Sequence, residues 1–199
     1  MKQTYRTGTV AAGALLSVIF LGGCVTSMHG YSGVDNEGKR EFLTYAAAET
    51  PVCLTVSGTP FAGDEAAMAV AAAEHASGAV FGSPATFTAD CGSTAHPDYR
   101  IVIHANRVLV GSPDQLCEPG PLPKAQETGK LRLDAAFCAK DEPLSTAWSE
   151  APMPSGTDDP AFRQMIHTMM NELFPRERER DRDREVLRVS ALPLTQIRN

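Results

Sequence analysis

The chain predicts an α+β domain: a mostly antiparallel sheet of four to five strands with two helices packed on one face, in the order β-α-β-β-β-β-α. Three observations carry this reading. Residues 52–57, 131–138 and 144–149 alternate apolar and polar side chains with the period of half-buried strands. Residues 66–76 are dense in alanine, the best helix former. Phe162, Met165, Ile166, Met169 and Leu173 then fall at the spacing of one helical face.

Taken in order, Glu41 to Ala48 has the composition of a short helical turn. In Val52 to Ser57, the side chains of Val52, Leu54 and Val56 share a face. Gly58-Thr59-Pro60 ends this strand, because Pro60 has no N–H to continue a ladder. Asp64 can cap the alanine helix, and Gly78 is a natural stop. Thr86 to Thr88 is a possible strand, and residues 91–97 form a turn-rich loop. Tyr99 to His104, YRIVIH, has β-branched residues on both faces and belongs inside the sheet. Val108 to Val110 extends or follows it. Residues 111–129 hold Pro113, Pro119, Pro121 and Pro123 and read as an exposed loop. Leu131 to Cys138 and Leu144 to Ser149 form a hairpin about a polar bend at residues 139–142. Residues 152–158 are a second loop. Asp159 and Pro160 supply an N-cap and a first-turn proline for the last helix. Its methionine-rich stripe reads as core.

The N-terminus carries a different signal. Lys2 and Arg6 precede residues 7–23, TGTVAAGALLSVIFLGG, which hold no charge. The strongly apolar part, residues 10–21, would span about 18 Å as a helix, short of the roughly 30 Å hydrocarbon core. That fits the h-region of a secretory signal. The run Leu21-Gly22-Gly23-Cys24 resembles the lipobox of bacterial lipoproteins. The resemblance implies cleavage before Cys24, a diacylglycerol on its sulfur and usually an N-acyl chain. Val25, rather than Asp, then points to the outer membrane, facing the periplasm. Two or more acyl chains anchor stably where one does not.

The domain plan follows. Residues 1–23 are a lipoprotein signal peptide, and residues 24–40, Gly/Ser/Asn-rich and polar, are a lipidated flexible tether. Residues 41–175 are an α+β periplasmic domain. Residues 176–199 are a charged extension, partly helical or disordered, because RERERDRDRE offers no apolar face. Without the leader the chain has 16 basic and 24 acidic groups, and residues 24–174 hold 9 and 19. Such a surface repels nucleic acid.

Four cysteines remain beyond Cys24: Cys53, Cys91, Cys117 and Cys138. An even count in an oxidising compartment indicates two disulfides. Three pairings are possible. Cys53–Cys91 with Cys117–Cys138 is preferred, since the second would staple the Pro-rich loop to the strand after it. No C-x-x-C or zinc spacing occurs.

The sequence holds no recognisable catalytic, metal or cofactor motif. His29, His75, His96, His104 and His167 show no metal spacing. His75 and His104 read as buried, hydrogen-bonded structural residues. Cys91 and His96 could be a thiol and its base, but a disulfide would disarm the thiol. Residues 35–38, DNEG, only echo a calcium loop. Asp134, Asp141 and Glu142 are the nearest approach to paired carboxylates. The order AAFC, DEPLSTA and DPAFR, followed by a helix ending in LFP, resembles small alphaproteobacterial lipoproteins of no assigned activity, over residues 45–175. That resemblance implies location and fold and transfers no functional residue. The expectation is a non-catalytic binding or assembly accessory without cofactors. Its expected partners are the membrane, through the lipid, and another envelope protein. The alternatives are an envelope hydrolase and a small-ligand binder using the sheet face left free by helices.

Overall fold

The computed structural model describes residues 24–61, 65–106, 113–120 and 129–176. It is a mixed α+β structure with six strands and three α-helices. The strands are β1 (Thr26–Ser32), β2 (Val52–Ser57), β3 (Phe87–Thr88), β4 (Tyr99–Ala105), β5 (Lys130–Ala139) and β6 (Glu142–Pro152). The helices are α1 (Asn36–Ala46), α2 (Glu65–Ala76) and α3 (Pro160–Leu173). The sheet order is β1-β6-β5-β4-β2-β3. The ladders joining β1, β6, β5 and β4 are antiparallel. Those from β2 to β4 and to β3 are parallel. Parallel neighbours need a long crossover, and α2 supplies it.

The expectation of four to five strands and two helices is therefore too low by β1 and α1. Both elements begin inside residues 24–40, which the sequence presents as a flexible tether. Thr26 to Met28 pair with Glu150 to Trp148. Ser27 Oγ lies 3.0 Å from Ser149 Oγ and 2.6 Å from Thr168 Oγ1 of α3. Gly30 must be glycine for this approach, since a Cβ there would lie 2.5 Å from Thr146 Oγ1. Asp35 caps α1 by accepting from the Gly38 N–H at 2.8 Å. The Ser27 contacts and that of His29 Nδ1 with the Glu172 carbonyl, rather than an apolar stripe, bind β1 to the body.

The three best-patterned segments fold as their periodicity requires. In β5, Leu131, Leu133, Ala135 and Phe137 point into the core and are fully buried. The opposing residues of β6 are small: Ser145, Ala147 and Ser149. Their size lets α3 lie close on the sheet. Ser145 Oγ donates to the Leu173 carbonyl at 2.8 Å, satisfying one of the orphan acceptors at the end of α3. Met165, Met169 and Met170 are fully buried, so the methionine stripe is core, as expected. Phe162 packs edge-on against Phe61 at 5.6 Å. On α2, Met68, Ala72 and Ala76 are buried, and the small side chains permit a close seat over β2 and β3.

Among the described residues, the other sheet face carries no helix. It is not fully open, however. The segment Pro113–Leu116 forms a 3₁₀ turn, and Leu116 and Cys117 pack on Ala136, Cys138 and Val102. Leu116 and Cys117 are buried, which corrects the expectation of an exposed loop for this part of residues 111–129. The leader, Asp64, Val108 to Val110 and the extension beyond Arg176 lie outside the described residues.

Candidate functional site

The sheet has two ends, and the order of connections assigns chemistry to one of them. Thr26 pairs with Glu150, so β1 starts where β6 finishes. Ser57 pairs with His104, so β2 and β4 finish at that same end. Cys24 lies there, exposed and with a free thiol, and only Val25 stands between it and β1. Among the described residues, no helix is long and apolar enough to cross a membrane.

A cleft of about 700 Å³ opens at this end. The β2–α2 connection gives one wall, Thr59 to Phe61, and the β6–α3 connection gives the other, Met153 to Asp159. Met68 of α2, buried, contributes to the floor. The rim is acidic. Asp159 accepts from the Ser155 N–H at 2.9 Å, from the Ala161 N–H at 2.8 Å and from Ser155 Oγ at 2.8 Å. These donors, the Ser155 amide first, hold its carboxyl below the usual range. Asp159 is thereby occupied as the N-cap of α3. A smaller hollow beside it, about 410 Å³, is lined by Asp158, Arg163 and His167 among others.

A second group lies across the helix-free sheet face. Register sets Ser57, His104, Asp134 and Trp148 side by side on four adjacent strands. Ser57 Oγ and His104 Nδ1 are 2.5 Å apart. His104 is only 2% exposed, so the reading as a buried, bonded histidine holds. Arg132 donates to both oxygens of Asp134, at 3.2 Å and 3.1 Å, and its guanidinium stacks 4.3 Å over the Trp148 ring. A serine beside an imidazole is a possible nucleophile and base. Here the nearest carboxylate in the row is neutralised by an arginine fork. Asp141 lies at the far bend, 3.7 Å from Arg100, so Asp134 and Asp141 do not face each other across a cleft.

A third group surrounds a buried lysine, with His29 and Asn36 half-buried around it. Lys39 of α1 is 0% exposed. Its Nζ lies 3.1 Å from Asn36 Oδ1 and 3.5 Å from His29 Nε2. His29 Nδ1 lies 2.8 Å from the Glu172 carbonyl. The carbonyl can only accept, so Nδ1 donates and Nε2 receives the lysine. Burial pushes the Lys39 ammonium down, and Asp35 pulls it partly back.

The cysteines pair as preferred, Cys53 with Cys91 and Cys117 with Cys138. Cys91 therefore cannot be a nucleophile, and the His96 ring packs tilted against Tyr45 at 4.2 Å instead. His75 Nε2 meets the Thr157 carbonyl at 3.0 Å, so this histidine is bonded as expected but half-buried rather than buried. Residues 35–38 form the cap of α1 rather than a calcium loop. Among the described residues no cluster of His, Cys, Asp or Glu could hold a metal ion. The fold and site thus define a small disulfide-stapled α+β domain with a free cysteine and a cleft at one end of its sheet. No protein-family model, no curated protein and no solved structure matches the chain.

Proposed function

We propose that the chain is a lipid-anchored lipoprotein of the bacterial envelope, acting as a non-catalytic binding or assembly accessory on the outer membrane, facing the periplasm. The observation that carries this reading is the exposed Cys24 thiol, preceded by an apolar leader and followed by two closed disulfides. Disulfides of this kind belong to oxidising compartments. An acylated Cys24 would put two or more chains into the bilayer, and each buried methylene contributes roughly 0.8 kcal/mol. The acidic surface supports a partner other than nucleic acid. Cys24→Ala is expected to abolish incorporation of a clickable fatty-acid probe in living cells and to release the protein from the membrane fraction. Undiminished labelling of the variant would overturn the reading.

A second reading, a small-ligand-binding lipoprotein, is favoured by the cleft between Phe61 and Met153. Its size lies in the ordinary range for ligand sites, and Phe61, Met68 and Met153 give it an apolar part beside the polar one. A fluorescent apolar probe should then bind saturably to the purified domain, and Phe61→Asp should weaken that binding at least tenfold. Equal binding by both proteins would remove this reading.

A further inference from the structure

We infer that the end of the sheet holding Cys24 rests directly on a bilayer of uncharged headgroups, with the cleft opening onto the lipid and the β5–β6 bend pointing away. The inference rests on the reading of Cys24 as the anchor and adds orientation and height to it.

The length of chain between the anchor and the fold sets the height. Only Val25 separates Cys24 from the first paired residue, Thr26. Two extended steps reach about 7 Å, at roughly 3.3 Å each. A flexible coil over residues 24–40 would instead give an r.m.s. reach of about 23 Å. So the folded part begins within the headgroup layer's own thickness of the lipidated sulfur.

The first strand cannot readily be drawn out to lengthen this connection. Its backbone is laddered to β6 from Thr26 onward. Ser27 is bonded to Ser149 and lies against Thr168 of α3. His29 joins the Glu172 carbonyl and Lys39. Peeling β1 would strip these partners together, and would bare the buried Lys39 beneath it.

The direction of the strands sets the orientation. From the anchor, β1 runs antiparallel to β6 and so toward the bend at Asp141. The eleven residues of β6 extend roughly 33 Å at about 3.3 Å each, which places Glu142 far from the anchor. Met153 to Asp159 follow the other end of β6 and share the anchor end with Phe61 and the cleft. Asp158 and Asp159 rim that cleft, Arg163 and His167 stand beside Asp158, and Lys130 is paired with Glu150, so the described residues of this end form no basic patch to hold anionic headgroups, and uncharged ones fit.

The test uses the full acylated protein in phosphatidylcholine vesicles. After acylation Cys24 has no thiol and the other four cysteines are bonded, so one introduced cysteine takes a fluorophore uniquely. Asp158→Cys marks the anchor end and Glu142→Cys the bend; both positions are exposed. With nitroxide-headgroup lipids, the Asp158→Cys label should lose half or more of its emission and the Glu142→Cys label almost none. A Gly/Ser insert of about twelve residues between Val25 and Thr26, with an r.m.s. reach of about 20 Å, should restore most of the emission while the protein still floats with the vesicles. Equal quenching at both labels, or an insert without effect, with flotation intact, overturns the inference and leaves the anchor standing. Failure of the acylated protein to float overturns both.

Discussion

Replacing Cys117 and Cys138 together by alanine is expected to lower the unfolding free energy by about 3 kcal/mol. The pair closes a loop of 21 residues, and the chain-entropy model sets the cost from that length. The Cys53–Cys91 pair spans 38 residues, so its removal should cost slightly more, about 4 kcal/mol. Packing adds a local consequence to the first pair. Leu116 and Cys117 cover Ala136 and Val102 on the face without helices, and Arg100 Nη2 donates to the Cys117 carbonyl at 2.6 Å. Without the staple, the segment Pro113–Leu116 should lift, and water should reach the row containing Ser57 and His104. Denaturant titration of the oxidised protein and of each double variant checks the magnitudes. Faster amide exchange across β4 and β5, confined to the Cys117/Cys138 variant, checks the location. A loss below about 1 kcal/mol in either variant would show that the bonds do not constrain the unfolded chain as the entropy argument requires.

Some elements are legible from sequence because their burial is written in apolar periodicity. Leu131, Leu133 and Phe137 alternate and face one core, so the pattern of side chains alone marks β5. Phe162 to Leu173 recur at helical spacing, and Asp159-Pro160 announces the start of that helix. The cysteine pairs are accessible from parity and from the position of the proline-rich loop.

The N-terminal elements are legible only in part, since the helical turn expected over Glu41 to Ala48 falls on the second half of α1, and the rest is hidden for a specific reason. The inward positions of β1 are Ser27 and His29, which satisfy themselves on Thr168 and the Glu172 carbonyl rather than on apolar side chains. Helix α1 buries Lys39, Leu43 and Ala46, so its inward stripe includes a lysine, and Gly38 sits in its first turn. A polar segment with Gly and Ser reads as a linker when its partners are polar groups far along the chain. The same reason hides the candidate site. Ser57 and His104 meet because β2 and β4 are parallel neighbours, and the cleft is assembled from two connections about ninety residues apart. Neither relation leaves a local signature.

The buried lysine gives the second large expectation. Lys39→Ala should destabilise the protein by about 2–4 kcal/mol, since it empties a fully buried site and leaves His29 Nε2 and Asn36 Oδ1 without their donor. Lys39→Met retains most of the apolar stem and removes the cost of burying an ammonium, so its loss should be under about 1.5 kcal/mol. The pH dependence separates the two causes. Burial lowers the Lys39 pKa in the folded state below its ordinary value of 10.5. Between the folded and unfolded values, the unfolded chain binds more protons, so this residue makes stability rise with pH through that alkaline window. Below the folded value the ammonium is present in both states, and its burial cost is fully felt. The difference in stability between wild type and Lys39→Met should therefore shift in favour of wild type as pH rises toward 10.5. Denaturant titrations at matched ionic strength measure it. A difference independent of pH would mean that the lysine is as well solvated in the fold as outside it, and that residues 26–46 hold to the domain more loosely than the contacts of Ser27, His29 and Lys39 require.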